Sequence, residues 1–198
     1  VGELGCFSFY ASKVLTAGEG GAVATNDDRL ADKIKMIRNH GMVEGYDTRV
    51  LGLDLRLPEL SVALAKAQMD KLQNILDLRR RNAKELTDLL LPLAKEKGIN
   101  IPHETPKKRF NWYLFTVAFQ KDYLRDRVQR RLVSDKIGAT VYYNPPVHKT
   151  PYYHEMDSSV QRLANTDWAS EHVLSLPVHS FVGQQDLEHI RISLEKAL

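Results

Sequence analysis

Short apolar runs broken by glycine open the chain, and a helical spacing follows them. Cys6 to Phe9 is apolar apart from Ser8, and Ala22 to Thr25 is short and β-compatible, so two strands are expected around a loop. Gly18, Gly20 and Gly21 lie in that loop, where they open backbone angles that other residues avoid. In TNDDRLADKIKMIRNHG, Leu30, Ile34 and Ile37 share one face, which predicts a helix. Asn26 or Asp27 can cap its start, and acidic residues fill the first turn, where the helix dipole favours them. Arg38 and His40 occupy its last turn and Gly41 is the stop signal. Residues 42–57 carry no sustained period and read as loop.

Pro58 then opens a long helical stretch, because proline is tolerated in a first turn. Leu60, Leu64, Ala67, Leu72, Ile75 and Leu76 form much of an apolar stripe. RRRNAKELTDLLLPLAKEKG continues it, with Pro92 as a kink and Gly98 as the end. Such a run is long for one globular helix and could connect two lobes. From about residue 99 the rhythm changes. Trp112 to Phe119 reads as a buried strand, Tyr123 to Asp135 as an amphipathic helix, and Ala139 to Tyr143 as another strand. PPVHKTPYYHEM is a proline-rich loop, residues 159–172 and 183–198 look helical, and Val173 to Leu176 is a short strand between them. This alternation suggests an α/β lobe. The 57/58 junction is the expected boundary.

Composition narrows the classes. A chain of 198 residues can bury one good core or two small ones. With 43% apolar and 27% charged residues, it has the make-up of a soluble globular protein. No segment is long and apolar enough to span a membrane, and Gly2, Glu3 and Gly5 interrupt any resemblance to a signal peptide. A net charge of +3 makes no strong case for nucleic acid. The arginines at 79–81 and 125–131 fall on expected helices and read as solvated faces. Cys6 has no internal disulfide partner, and its apolar setting predicts a buried, inert thiol. A reducing, cytoplasmic compartment fits.

The candidate chemistry centres on Lys13. A lysine amine attacks carbonyls when its surroundings lower its pKa, and a glycine-rich turn lets backbone approach a ligand closely. Ser8, Lys13 and the GEGG run could together hold a phosphorylated aldehyde. On residue types alone, a surface lysine beside a flexible turn is the better reading. The GxxxxGK[ST] pattern is absent, which argues against a nucleoside triphosphate site. His148, His154 and Glu155 match no ligand spacing, so no metal is expected.

A resemblance changes that balance. CFSFYASKVLTAGEGGAVATND with IRNHG, then GLDLRLPELSVALAKAQMDKL, VYYNPPVHKTPYY and LSLPVH, together resemble the DegT/DnrJ/EryC1/StrS family of pyridoxal-phosphate sugar aminotransferases over nearly the whole chain. The resemblance implies an α/β protein of the pyridoxal-phosphate-dependent transferase fold type I (aspartate-aminotransferase-like), present in part. Residues 1–57 would be the end of the large domain, and 58–198 the interdomain helix and small C-terminal domain. It implies that Lys13, the lysine of the FSFxxxK motif, is the catalytic residue and bonds covalently to pyridoxal 5'-phosphate. Ser8, five residues earlier, would contact the cofactor phosphate. Tyr10, three before the lysine, faces the substrate in some members, and the PPVH loop would bring His148 and Tyr143 to the substrate end. His40 would sit near the neighbouring subunit's site.

The family's GxNxR motif supplies an asparagine to the phosphate across a dimer interface. Here the motif reads Gly52, Leu53, Asp54, Leu55, Arg56, which places Asp54 at that cofactor contact. A carboxylate there is repelled by a phosphate dianion unless protonated or re-aimed. Family members are longer, and the match is to their C-terminal half. The other half would carry the aspartate that pairs with the pyridine nitrogen, so this chain alone is expected to be inactive and its parent to be an enzyme. The implied reaction moves an amino group, commonly from glutamate, to a keto group of a nucleotide-linked sugar. It implies a homodimer without nucleic-acid or membrane partners, serving surface polysaccharide or secondary-metabolite synthesis. A non-catalytic regulatory or structural protein of the same ancestry is the alternative; Lys13 favours the enzyme and Asp54 the alternative. Desulfuration would need a reactive cysteine in a mobile loop, and Cys6 lies in an expected strand. Dehydratase relatives carry histidine where Lys13 stands.

Overall fold

In the computed structural model the chain divides into two units, Val1–Asn74 and Ile75–Leu198. The structure describes residues 2–121, 123–156 and 163–198.

The first unit begins with an antiparallel pair, β1 (Gly5–Ser8) and β2 (Gly21–Ala24), in which Gly5 faces Ala24 and Ser8 faces Gly21. Gly21 makes the tight closure possible, since a Cβ there would lie 2.6 Å from the Phe7 carbonyl oxygen. Helix α1 (Asp28–Ile37) starts where expected. The Asp27 carboxylate accepts the N–H groups of Arg29 and Leu30 and fills two of the orphan donors at the helix start. The helix stops earlier than expected, because Gly41, at φ 74°, turns its N–H back to the Met36 carbonyl at 2.9 Å.

Residues 38–57 lack periodicity yet are tightly ordered by backbone bonds. Leu53 N–H reaches Ile37 O at 2.8 Å, His40 N–H reaches Leu53 O at 3.0 Å, and Leu55 N–H reaches Arg38 O at 2.9 Å. Gly41 and Gly52 allow this return, for a Cβ on Gly52 would lie 1.9 Å from Gly41 N. Helix α2 (Glu59–Met69) follows, with Pro58 as its extended cap. The expected continuous helix is in fact two, because the chain breaks at Asp70 and Lys71 before α3 (Leu72–Lys97). Pro92 lies inside α3 and does not end it. Cys6 is exposed, against the expectation of a buried thiol, because the β1–β2 ribbon is open where its side chain emerges.

The second unit holds the core. Strands β3 (Ile99–Asn100), β4 (Phe115–Phe119) and β5 (Val173–Leu176) form an antiparallel sheet in that order, with Phe115 opposite Leu176 and Ala118 opposite Val173. The two-residue β3 was not expected. Alternation along β4 sends Phe115, Val117 and Phe119 inward. They meet Leu86 and Leu90 of α3, Val128 and Leu132 of α4 (Leu124–Ser134), and Leu187, Ile190 and Leu194 of α7 (Gln184–Ala197) in one core.

Three further expectations need correction here. Trp112 to Leu114 stays outside β4, and Trp112 adopts φ 51° while the buried Arg79 donates to its carbonyl at 2.9 Å. Ala139 to Tyr143 is not a strand. Only Thr140 pairs, with Ser175, before the chain enters Pro145 and Pro146, which have no N–H to extend a ladder. Arg79 and Arg125, at 8% and 3% exposure, are not part of solvated faces; Arg125 Nη1 donates to Ser170 O at 2.9 Å.

The proline-rich loop contains a 3-10 turn (Val147–Lys149) and a short helix α5 (Pro151–Met156). Helix α6 runs Ala164–His172, while residues 159–162 of the expected helix lie outside the described residues. Among the described residues no helix is long and apolar enough to cross a membrane.

Candidate functional site

The loop between β1 and β2 is pinned at both ends. Phe9 N–H donates to Gly20 O at 2.8 Å, and Ala17 N–H donates to Phe9 O at 2.8 Å. Thr16 adds a clasp: its hydroxyl donates to Phe9 O at 3.3 Å and accepts Gly18 N–H at 2.9 Å. Within this frame Lys13 N–H closes a turn on Tyr10 O at 2.9 Å, so Lys13 leaves the loop from a fixed backbone and its side chain is half-buried. Tyr10 is exposed. Ser8 ends β1, and its Oγ accepts Tyr10 N–H at 3.3 Å. That bond uses a lone pair, so the hydroxyl hydrogen can still be donated. Ser8, Tyr10 and Lys13 therefore share one loop.

The segment carrying Asp54 reaches the same loop. Gly20, at φ 139°, is so close to Leu57 that a Cβ would lie 2.6 Å from Leu57 Cδ1. Asp54 itself is already engaged. Arg56 grips it with Nε on Oδ1 at 2.7 Å and Nη2 on Oδ2 at 2.8 Å, and His40 Nε2 lies 3.6 Å from Oδ2. The backbone bridge between Asn39 and Asp54 sets this neighbourhood. The Arg56 guanidinium, above all, holds the Asp54 carboxyl down at about 2. Protonation is thus no route to a phosphate contact for Asp54, which is ionised at neutral pH.

In the second unit, His148 lines a cavity of about 650 Å³, with Tyr142, Tyr143, Val147, Tyr153 and Leu163 among its other walls. The ring is half-buried, and its Nε2 lies 2.9 Å from Asp167 Oδ1 in the first turn of α6. Lys149 Nζ meets the same oxygen at 2.9 Å. The Lys149 ammonium, then the His148 hydrogen bond, lowers the Asp167 carboxyl from its ordinary range. Sequence reading missed Asp167 and Tyr153. Asp167 lies 19 residues beyond His148 on another element, and no motif spacing links them. Among the described residues no group of three histidine, cysteine or carboxylate side chains could hold a metal.

The sequence model of the DegT/DnrJ/EryC1/StrS aminotransferase family matches residues 1–195. The chain is 30% identical to the erythromycin biosynthesis sensory transduction protein EryC1 of Saccharopolyspora erythraea, over 96% of this chain and 50% of that protein. It is 30% identical to a UDP-N-acetyl-3-dehydro-α-D-glucosamine 3-aminotransferase of Acidithiobacillus ferrooxidans, over 100% of this chain and 51% of that protein. Among solved structures, DesV of S. venezuelae superposes with a TM-score of 0.89 at 30% identity, covering 100% of this chain and 52% of DesV. The chain thus spans about half the length of the curated relatives it matches. Its architecture is part of the fold of pyridoxal-phosphate-dependent sugar aminotransferases, as a partial fold type I implies. The chain belongs to the DegT/DnrJ/EryC1/StrS aminotransferase family.

Proposed function

We propose that this chain is part of a pyridoxal-phosphate-dependent enzyme that transfers an amino group, from glutamate, to a keto carbon of a nucleotide-linked sugar. The observation that carries the reading is the Ser8–Gly21 loop, in which a half-buried lysine and a serine whose hydroxyl hydrogen is still available share one pinned frame. The donor set fits the cofactor. Lys13 offers an amine to an aldehyde carbon, and Ser8 offers a hydrogen to a phosphate oxygen. Gly18, with no atom within 4 Å of where a Cβ would stand, leaves open backbone for a ligand.

When bound, pyridoxal phosphate supplies a ring that draws off the electron pair left when a carbon beside nitrogen loses its proton. Lys13 Nζ moves that proton, first as base at the α-carbon of the amino donor and then as acid. Ser8 Oγ holds the phosphate end. Asp54 serves that end indirectly, since it fixes the Arg56 guanidinium, which has further N–H donors for an anion. Tyr10 and His148 contact the sugar. The same reading takes the enzyme to be a cytoplasmic homodimer that supplies aminated sugars to a surface polysaccharide or a secondary metabolite.

A non-catalytic role is favoured by Asp54 in place of asparagine and by the names of two relatives, a sensory transduction protein and a pleiotropic regulatory protein. Lys13 counts against it, because a regulatory remnant has no chemical need for the amine. Lys13→Ala in the whole protein decides between them. Loss of both the yellow absorbance of lysine-bound cofactor and amino transfer is expected; retention of both sinks the enzyme reading.

A further inference from the structure

The Asp167 carboxylate meets the cavity wall of the second unit at His148. It is absent from the cavity wall, yet its Oδ1 takes His148 Nε2 at 2.9 Å and Lys149 Nζ at 2.9 Å. An ionised carboxylate accepts hydrogen bonds and has no hydrogen to give, so Nε2 must carry the hydrogen of this pair. In the neutral imidazole the other ring nitrogen, Nδ1, is then a bare acceptor. Lys149, on the same oxygen, lowers an Asp167 carboxyl that is already ionised at neutral pH. Helix α6 is itself anchored: the buried Arg125 of α4 donates through Nη1 to Ser170 O at 2.9 Å. The carboxylate therefore comes from a fixed platform.

We infer that Asp167 is a positioning residue that locks His148 in the Nε2–H tautomer, so that the tyrosine-lined cavity selects a ligand bringing a hydroxyl or amide hydrogen to Nδ1. Tyrosine walls suit the C–H faces of a sugar ring, and one fixed acceptor orients its hydroxyl edge. The inference rests on the sugar-binding reading of His148, but its first test does not.

In the whole protein labelled with 15N-histidine, long-range 1H–15N correlation of His148 reports the tautomer directly. The Nε2–H form is expected in the native protein, a mixture in Asp167→Ala, and recovery in Asp167→Glu. Lys149→Ala retains the carboxylate and should leave the tautomer unchanged. An Nδ1–H signal in the native protein, or no change in Asp167→Ala with native thermal unfolding, overturns the inference. The second readout is binding of UDP-N-acetylglucosamine against UDP alone. Asp167→Ala should weaken the sugar nucleotide about threefold to tenfold, as expected for one hydrogen bond, and leave UDP unchanged. If the tautomer shifts but His148→Ala binds both probes like the native protein, the sugar-binding reading of His148 has failed and the Asp167 lock stands.

Discussion

Ser8→Ala isolates the phosphate contact proposed for the β1–β2 loop. Among the described residues the serine Oγ makes one bond, accepting Tyr10 N–H at a long 3.3 Å on an exposed edge. Removing that acceptor leaves an N–H that water can reach, so its effect on folding is within about 0.5 kcal/mol. The loop frame does not depend on it, because Phe9, Lys13 and Ala17 hold the loop through backbone carbonyls. The loss therefore falls on the ligand. A hydrogen bond from a hydroxyl to a phosphate anion contributes roughly 1.5–3 kcal/mol, or about a tenfold to 150-fold change in Kd. Ser8 is open to water in this chain, which points to the lower end. The covalent bond to Lys13 would mask the change, so the measurement belongs in a Lys13→Ala background of the whole protein. Equilibrium dialysis of pyridoxal phosphate then compares the single variant with Lys13→Ala/Ser8→Ala and Lys13→Ala/Ser8→Thr. Threonine keeps the hydroxyl and should restore most of the affinity. A change below about twofold for the alanine double variant would refute the assignment.

Two further predictions follow from named contacts. In Arg56→Ala the Asp54 carboxyl loses its first cause of depression and should rise from about 2 toward 3.8, read by carboxyl-carbon NMR titration. With the native pairing, the ion pair is complete above the ordinary carboxyl range and is lost only as pH falls through about 2; an unchanged midpoint in the variant would show that Arg56 is not the cause. Asn82 is 1% exposed, and its Nδ2 donates to His179 O at 2.9 Å and Val182 O at 3.0 Å. Asn82→Ala should cost roughly 2–3 kcal/mol in urea unfolding, from two lost bonds and a stranded Val182 carbonyl, since His179 O keeps the Val182 N–H at 3.0 Å. Asn82→Asp turns a carboxylate oxygen on those carbonyls, which raises the folded pKa of the new acid. Its penalty should be slight below about pH 4 and grow as pH rises through that value; a penalty that shrank with rising pH would refute the contact.

What the sequence disclosed depended on whether local pattern and tertiary environment agreed. They agree at the start of α1, which Asp27 caps as its sequence position predicts, and at β5 and α7, whose apolar positions meet a real core; the Leu30, Ile34, Ile37 face of α1 is only half-buried. They part where an apolar stretch has no partner or a polar one finds a buried role. Cys6 sits in a strand-like run yet points into the open, and Arg79 looks like a surface charge yet binds the Trp112 and Tyr113 carbonyls. The break at Asp70 and Lys71 carries no proline or glycine to announce it. At the candidate site, Ser8, Tyr10 and Lys13 are legible because one motif holds them in a single loop. The Asp54–Arg56 grip is two residues apart and was visible in principle from the alternating charges. The His148–Asp167 pair was not, because it joins a proline-rich loop to a helix through space alone.

The two units are stabilised by different means, and this bears on how Lys13 must be tested. Phe115, Val117, Phe119, Leu86 and Leu132 are fully buried in the second unit, and each such side chain contributes about 1.5–3 kcal/mol of burial. In the first unit, β1, β2, α1 and α2 contain no buried side chain, and Leu51 and Leu60 are 93% and 87% exposed. Its order comes from backbone bonds and glycine contacts, such as Gly41 against Gly52 and Gly20 against Leu57. These set the direction of a loop, but segments with few buried apolar contacts open at low free-energy cost. A catalytic amine needs more than direction, since displacements of about 1 Å can cost a hundredfold in rate. On the proposed reading of Lys13 as the catalytic amine, residues 1–198 alone should therefore show little or no amino transfer, and transfer at a substantial rate by that chain would count against the expected loss of geometry.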